Sequence, residues 1–318
     1  MEILNPPKRV LIAGGYGYLG GRIANYLSLK GHKVIIATTQ KSIYGSNYLH
    51  NIEVKNINWD RYETLVDACE NIDILINAAG TNSQDSEINP SKALLINGVG
   101  TANLIKACLE KRVSKFIYLS TVHVYSSPLE GFFREDSCPK NLHPYATSHL
   151  AGENAVLFQL LETKKISGAV LRIPNAVGSP LDPYKNCWSL FVNDLCKQAA
   201  VSGEILIKSD PLIQRNFIPI TNICEVIDII MGSSSNYGIL NVCSKQSQTL
   251  EEISNLIVER SKHVLKKNIT INKSPVKFSR KGDLNISSNS SIVNQINTSD
   301  NLKIEIDNLL INCKEWFK

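Results

Sequence analysis

The sequence predicts an α/β protein: a doubly wound parallel sheet followed by a smaller C-terminal substrate-binding region. Three observations predict it. A glycine-rich turn follows the first apolar run, strand-length apolar runs alternate with segments of helical period, and that alternation loosens beyond Pro174. The strand-length runs are continuously apolar, as strands covered on both faces must be.

In chain order, Val10–Ala13 reads as the first strand and Leu19–Lys30 as the helix after it. Val34–Ala37 is a second strand, followed by a helix-poor stretch. Ile74–Asn77 and Phe116–Ser120 are strands, each succeeded by a helical pattern, Asn97–Lys111 and Pro144–Glu162. Gly168–Ile173 closes the series. Residues 1–174 are thus expected to form a Rossmann-type dinucleotide-binding domain, with ligands at the carboxyl ends of the strands. Residues 175–318, punctuated by Pro, Gly, Asn and Ser, are expected to form a mainly substrate-binding region interleaved with the first domain. The Asn-, Ser- and Lys-rich stretch from Asn268 to Asp300 keeps recurring apolar residues and is expected to be ordered. No internal repeat is visible.

With 318 residues, 43% hydrophobic and 20% charged, the chain can bury a full core and does not have the composition of a disordered protein. The net charge of +5 is spread without a Lys/Arg run, which argues against a nucleic-acid partner and suits a small anionic substrate. The eight cysteines show no CxxC pair and no histidine at zinc-ligand spacing, so no metal is expected. No apolar run reaches membrane-spanning length and no signal-peptide pattern is seen, so a cytoplasmic location without a membrane partner is expected.

Gly14, Gly17 and Gly20 stand as G-x-x-G-x-x-G between the first strand and its helix. A pyrophosphate site needs that arrangement: a turn tight enough for positive φ, backbone close to the anion, and a helix N-terminus with free N–H groups. Tyr18 and Leu19, at the start of that helix, join the cofactor-binding set. A site for NAD usually has an Asp or Glu roughly twenty residues further on. The region here reads Ala37-Thr38-Thr39-Gln40-Lys41, so no carboxylate repels a 2′-phosphate while Thr38, Thr39 and Lys41 can bind one. The cofactor is NADP or NAD, and the missing carboxylate favours NADP.

A series of further motifs resembles the extended short-chain dehydrogenase/reductase family, in particular its nucleotide-sugar epimerases, dehydratases and ketoreductases. After the glycine turn come DILINAAG (73–80), NGVGT (97–101), YLSTVHVY (118–125), PYATSHLAGE (144–153), LRIPNAVG (171–178), QRNFIPITN (214–222) and LNVCS (240–244), covering nearly the whole chain in the family's order. The resemblance implies that Thr121 and Tyr145 are the catalytic hydroxyl pair, Thr121 binding the substrate oxygen and Tyr145 acting as general base in oxidation and acid in reduction. It places Asn58 and Trp59 near adenine, Ala78, Ala79 and Gly80 under the adenosine and ribose, and Asn97 near the nicotinamide ribose, where it could equally cap a helix. Asn175 matches a residue that contacts the diphosphate or the sugar, and Arg215 one that binds the substrate diphosphate, where a planar guanidinium suits two phosphate oxygens. A nucleoside-diphosphate sugar as substrate and a homodimer built on helices flanking Tyr145 are likewise implied.

This chain departs from the family at three places. Y-x-x-x-K reads Tyr145-Ala146-Thr147-Ser148-His149, so a histidine stands one helical turn from the tyrosine. A free Lys titrates near 10.4 and a His near 6.5, and lowering a phenol from about 10 to about 7 requires roughly 4 kcal/mol, little of which a neutral imidazole supplies. Three outcomes follow: a neighbour keeps His149 protonated, the substrate or the nicotinamide ring takes over, or the enzyme is slow or dead. His123 stands where dehydratases carry an acid, which disfavours 4,6-dehydration and leaves His123 as an extra acid/base or a packing residue. Asn216 and Asn222 replace two customary carboxylates. The reading is an epimerase or ketoreductase moving hydride at a sugar carbon, C4 foremost. A non-catalytic dinucleotide sensor or scaffold is the alternative.

Overall fold

The computed structural model describes residues 6–39, 52–275 and 282–317. Seven parallel strands form the central sheet: β1 (Arg9–Ala13), β2 (Lys33–Thr38), β3 (Glu53–Asn56), β4 (Ile74–Asn77), β5 (Lys115–Thr121), β6 (Ser167–Ile173) and β7 (Gly238–Asn241). Their spatial order is β7-β6-β5-β4-β1-β2-β3. The order reverses between β1 and β4, which opens a crevice at their carboxyl ends.

Successive side chains of each strand enter opposite layers, as the twofold repeat of a strand requires. Val10, Ile12, Ile36, Ile76 and Ile117 pack with helices α1 (Tyr18–Leu29) and α6 (Ile220–Gly232). Leu11, Ile35, Leu75, Phe116 and Tyr118 pack with α2 (Tyr62–Ala68), α3 (Thr101–Glu110) and α4 (Pro144–Leu157). Each such aliphatic side chain contributes about 1.5–3 kcal/mol when fully buried. Three further helices, α5 (Phe191–Val201), α7 (Leu250–Val264) and α8 (Thr298–Trp316), enclose a separate cluster around Leu195, Ile253 and Leu309.

Two features differ from the sequence reading. The supposedly helix-poor stretch after β2 holds β3 and the short helix α2, which the polar sequence EVKN and a seven-residue length hide. Both long helical patterns carry a π-helical segment, Leu94–Gly100 and Phe158–Thr163. The C-terminal region also returns to the central sheet to supply α6 and β7, the latter pairing Ile239 with Val170.

Buried ion pairs tie elements together, one of them across the two regions. Arg22 on α1 meets Glu305 on α8 through a bidentate contact at 2.6 and 3.0 Å, and Glu305 also accepts from the Thr221 N–H and hydroxyl. Glu153 on α4 pairs with Arg172 on β6 at 2.6 Å and accepts a hydrogen bond from Ser120 on β5. Such pairs stabilise little against an apolar equivalent but cost about 3–5 kcal/mol when one partner is removed, so they fix how the elements meet.

Candidate active site

The glycine turn is closed by backbone contacts. Gly14 has φ +76, and a Cβ there would lie 2.7 Å from Ala79 Cα. A Cβ on Gly20 would lie 2.2 Å from the Gly14 carbonyl. The Gly17 N–H donates to Gly14 O at 2.8 Å, and Gly17 caps α1 with extended backbone and no side-chain hydrogen bond. The first-turn N–H groups, those of Tyr18 and Leu19 among them, are therefore left to an external acceptor. A bound pyrophosphate fits these residues: the turn carries no side chain at Gly14, Gly17 or Gly20 to keep an anion from its backbone, and the open helix end carries partial positive charge.

Ala78, Ala79 and Gly80 continue from β4, Ala78 N–H donating to Ala13 O and Ala79 N–H to Asn77 Oδ1. At the end of β2, Thr38 is buried and Thr39 exposed. Lys41 lies outside the described residues. Other predicted cofactor residues have internal partners. The Tyr18 hydroxyl donates to Gly178 O at 2.8 Å, tying α1 to the substrate region. Asn58 Oδ1 accepts from the Asp60 N–H within its own turn, and Trp59 packs against Gly100. Asn97 is fully buried, donating to Ser148 Oγ at 3.0 Å and accepting from the Thr81 N–H at 3.2 Å.

Thr121 ends β5 and Tyr145 is the second residue of α4. Pro144 starts that helix with the preset φ of proline, and His143 caps it by accepting the Tyr145 N–H on Nδ1 at 3.1 Å. This capping role for His143 was invisible in its spacing. Thr121 Oγ1 accepts the His123 N–H at 3.1 Å, so its own proton is free to donate. Burial raises the Tyr145 phenol above its ordinary 10.0, and a hydrogen bond from Thr121 opposes part of that rise.

His149 stacks edge-on against Tyr145 with ring centroids 4.7 Å apart and is 5% exposed. Burial, reinforced by His123, pushes its pKa down to about 4. His123 is likewise lowered to about 4 by burial, Arg215 and His143. No neighbour keeps His149 charged, so at neutral pH the catalytic corner holds a phenol and two neutral imidazoles. Sequence reasoning missed the group that holds His149: Nδ1 lies 3.0 Å from the hydroxyl of Tyr118 on β5. The helical glycine Gly152 was the available signal, since a Cβ there would lie 2.7 Å from that hydroxyl.

Beside this corner opens a cleft of about 640 Å³ lined by Thr121, His123, Tyr145, Asn175 and Arg215. Two short ladders place the last two: Asn175–Val177 pairs with Phe217–Pro219, and Gln214–Arg215 with Gln248–Thr249. Asn175 donates to Asn216 O at 3.0 Å. Arg215 lies over the Phe191 ring at 5.8 Å and has no carboxylate partner among the described residues; burial lowers its pKa. Asn216 exchanges two hydrogen bonds with the Ser244 backbone, and Asn222 Oδ1 is buried without a partner. Glu130 is the one carboxylate among the described residues lining the cleft. No helix among the described residues is long and apolar enough to cross a membrane.

A Rossmann sheet, a glycine turn and a Thr–Tyr pair at one crevice define a dinucleotide-dependent enzyme of the extended short-chain dehydrogenase/reductase type. The chain belongs to the NAD dependent epimerase/dehydratase family, whose model matches residues 10–243. Among curated relatives, dTDP-D-glucose 4,6-dehydratase of Bos taurus is 25% identical over 273 residues, 81% of this chain and 75% of the relative. A dTDP-6-deoxy-L-talose 4-dehydrogenase (NAD(P)(+)) of Kitasatospora kifunensis is 26% identical over 259 residues, 80% of each chain. In fold the chain is similar to UDP-glucose 4-epimerase of Thermotoga maritima, solved with UDP-glucose, with TM-score 0.79 at 17% identity over 98% of this chain and 100% of the other.

Proposed function

We propose that the protein is a ketoreductase of nucleoside-diphosphate sugars, preferring NADP and acting at a ring carbon, C4 foremost. The observation that supports it is the neutral catalytic corner: Tyr145 is held as a phenol beside Thr121, and the neighbour that would ionise it is an uncharged His149. A phenol is already the acid that a ketone needs, whereas oxidation of an alcohol first requires the phenolate. The reduced nicotinamide, when bound, supplies the hydride. Thr121 Oγ1 holds the carbonyl oxygen, Tyr145 Oη gives that oxygen its proton as the carbon is reduced, and the phenolate regains a proton from solvent.

Arg215, half-buried and without a carboxylate partner among the described residues, is suited to the substrate diphosphate, with Asn175 beside it. His123 contributes a neutral polar edge to the sugar. The absence of a carboxylate after Thr121, where fully buried Val122 and then His123 follow, speaks against 4,6-dehydration: elimination needs both a base and an acid there. The described end of β2 carries hydroxyls and no acid, which supports NADP. A cytoplasmic homodimer along α3 and α4 belongs to the same reading, supported by exposed Leu94, Val99, Phe158 and Leu161 at their ends.

Purified protein mixed with NADPH and a nucleotide-linked 4-keto sugar tests the proposal. Steady loss of NADPH with formation of the alcohol is expected. Tightly retained NAD(H) with sugar interconversion and no net consumption identifies an epimerase instead, and binding of the dinucleotide with no turnover identifies a sensor or scaffold.

A further inference from the structure

His149 is neutral, so one of its ring nitrogens carries a proton and the other a lone pair, and which is which decides what the ring offers the site. The geometry around Nδ1 settles it. The Tyr118 hydroxyl has one proton and lies 3.2 Å from the Asn97 carbonyl and 3.0 Å from His149 Nδ1. Thr101 also reaches this hydroxyl through its own. Of these three neighbours only the carbonyl is unable to donate. If the phenol proton pointed at Nδ1, two oxygens would face each other at 3.2 Å with no hydrogen between them. Pointed at Asn97 O, it leaves the phenol oxygen to accept from a proton on Nδ1, and every contact is attractive. Gly152 makes the chain possible, because a Cβ there would sit 2.3 Å from Asn97 O and 2.7 Å from the Tyr118 hydroxyl.

The opposite edge of the ring is turned to Gly80, where a Cβ would lie 3.7 Å from Cε1 and 3.8 Å from Nε2. Nε2 makes no hydrogen bond to a described residue and is not among the enclosed unpartnered polar atoms, Asn222 Oδ1 and Ser247 Oγ; it faces Gly80 beyond the end of β4, beside the predicted cofactor residues.

We propose that Tyr118 is a positioning residue: with the Asn97 carbonyl it locks His149 as the Nδ1–H tautomer and presents a bare Nε2 to the site as a hydrogen-bond acceptor. A lysine at this helical position only donates, whereas His149 held in this way accepts. A hydroxyl brought against Nε2 therefore donates a hydrogen bond to the ring and turns its oxygen lone pairs outward. The use of this reversed polarity in turnover rests on the ketoreductase reading; the tautomer itself does not.

Nitrogen-15 NMR of histidine-labelled protein near pH 7 reads the tautomer directly, with the His149 signals assigned by their loss in His149→Gln. The unaltered protein is expected to show a protonated Nδ1 and an unprotonated Nε2. Tyr118→Phe is expected to move His149 toward the Nε2–H form and to lower kcat about tenfold with KM for the sugar little changed. An Nε2–H signal in the unaltered protein overturns the proposal without needing any variant. Unchanged His149 signals in a folded Tyr118→Phe overturn the role of Tyr118. An Nδ1–H signal in a protein that reduces no ketone leaves the tautomer standing and removes the proposed function instead.

Discussion

The two ends of the crevice are built in opposite ways. At the glycine turn, everything that matters is backbone: a positive φ at Gly14, missing Cβ atoms at Gly14 and Gly20, and open N–H groups at the start of α1. At the proposed catalytic corner everything is side chain: Tyr145 is hydrogen-bonded to Thr121 and packed edge-on against His149, which is hydrogen-bonded to Tyr118, and all four groups are neutral. The first design tolerates any side chain that leaves the turn alone, and the second changes its chemistry with one substitution. The customary permanent cation has been exchanged for an imidazole while the turn keeps its form.

Substitutions at each end should therefore fail differently. Gly14→Val forces a branched side chain into positive φ and against Ala79, at a cost expected to exceed about 4 kcal/mol from strain and overpacking. Denaturant titration should show that loss, and calorimetry should find no dinucleotide binding. Tyr145→Phe should do the reverse, leaving stability and dinucleotide affinity within error while kcat for ketone reduction falls roughly 10²–10⁴-fold. Loss of dinucleotide affinity in Tyr145→Phe would erase the division between the two ends.

The corner alone should also make stability acid-sensitive. His123 and His149 sit at about 4 in the folded protein against 6.5 for the free side chain. Between those values the unfolded chain binds protons that the folded one refuses, so stability falls as pH drops from about 6.5 toward 4 and is level above that window. The loss is up to roughly 3 kcal/mol per imidazole at 1.36 kcal/mol per unit. Chemical denaturation at several pH values checks it, and His149→Gln should remove about half of the effect.

The same contrast explains what could be read from the sequence. The turn is local, complete within Gly14–Gly20, and the strands flanking it are apolar enough to be seen, so both were legible. That Thr121, Tyr145 and His149 would meet was legible through motif order. The support for His149 was not, because it joins Asn97, Tyr118, His149 and Gly152 from three elements that only packing brings together. β3 was missed because an edge strand with partly exposed faces lacks the continuous apolar run of its neighbours.

The most direct test of the neutral corner is the pH dependence of ketone reduction in a single turnover with saturating NADPH. A buried phenol without a neighbouring cation predicts a rate that is level through neutrality and falls only above about pH 10, where Tyr145 loses the proton it donates. In His149→Lys the fall should come about 1–3 units lower, as a nearby positive charge favours the phenolate. A fall centred near pH 7 in the unaltered protein would mean that a positive charge acts on Tyr145 and lowers its phenol, and would contradict the account.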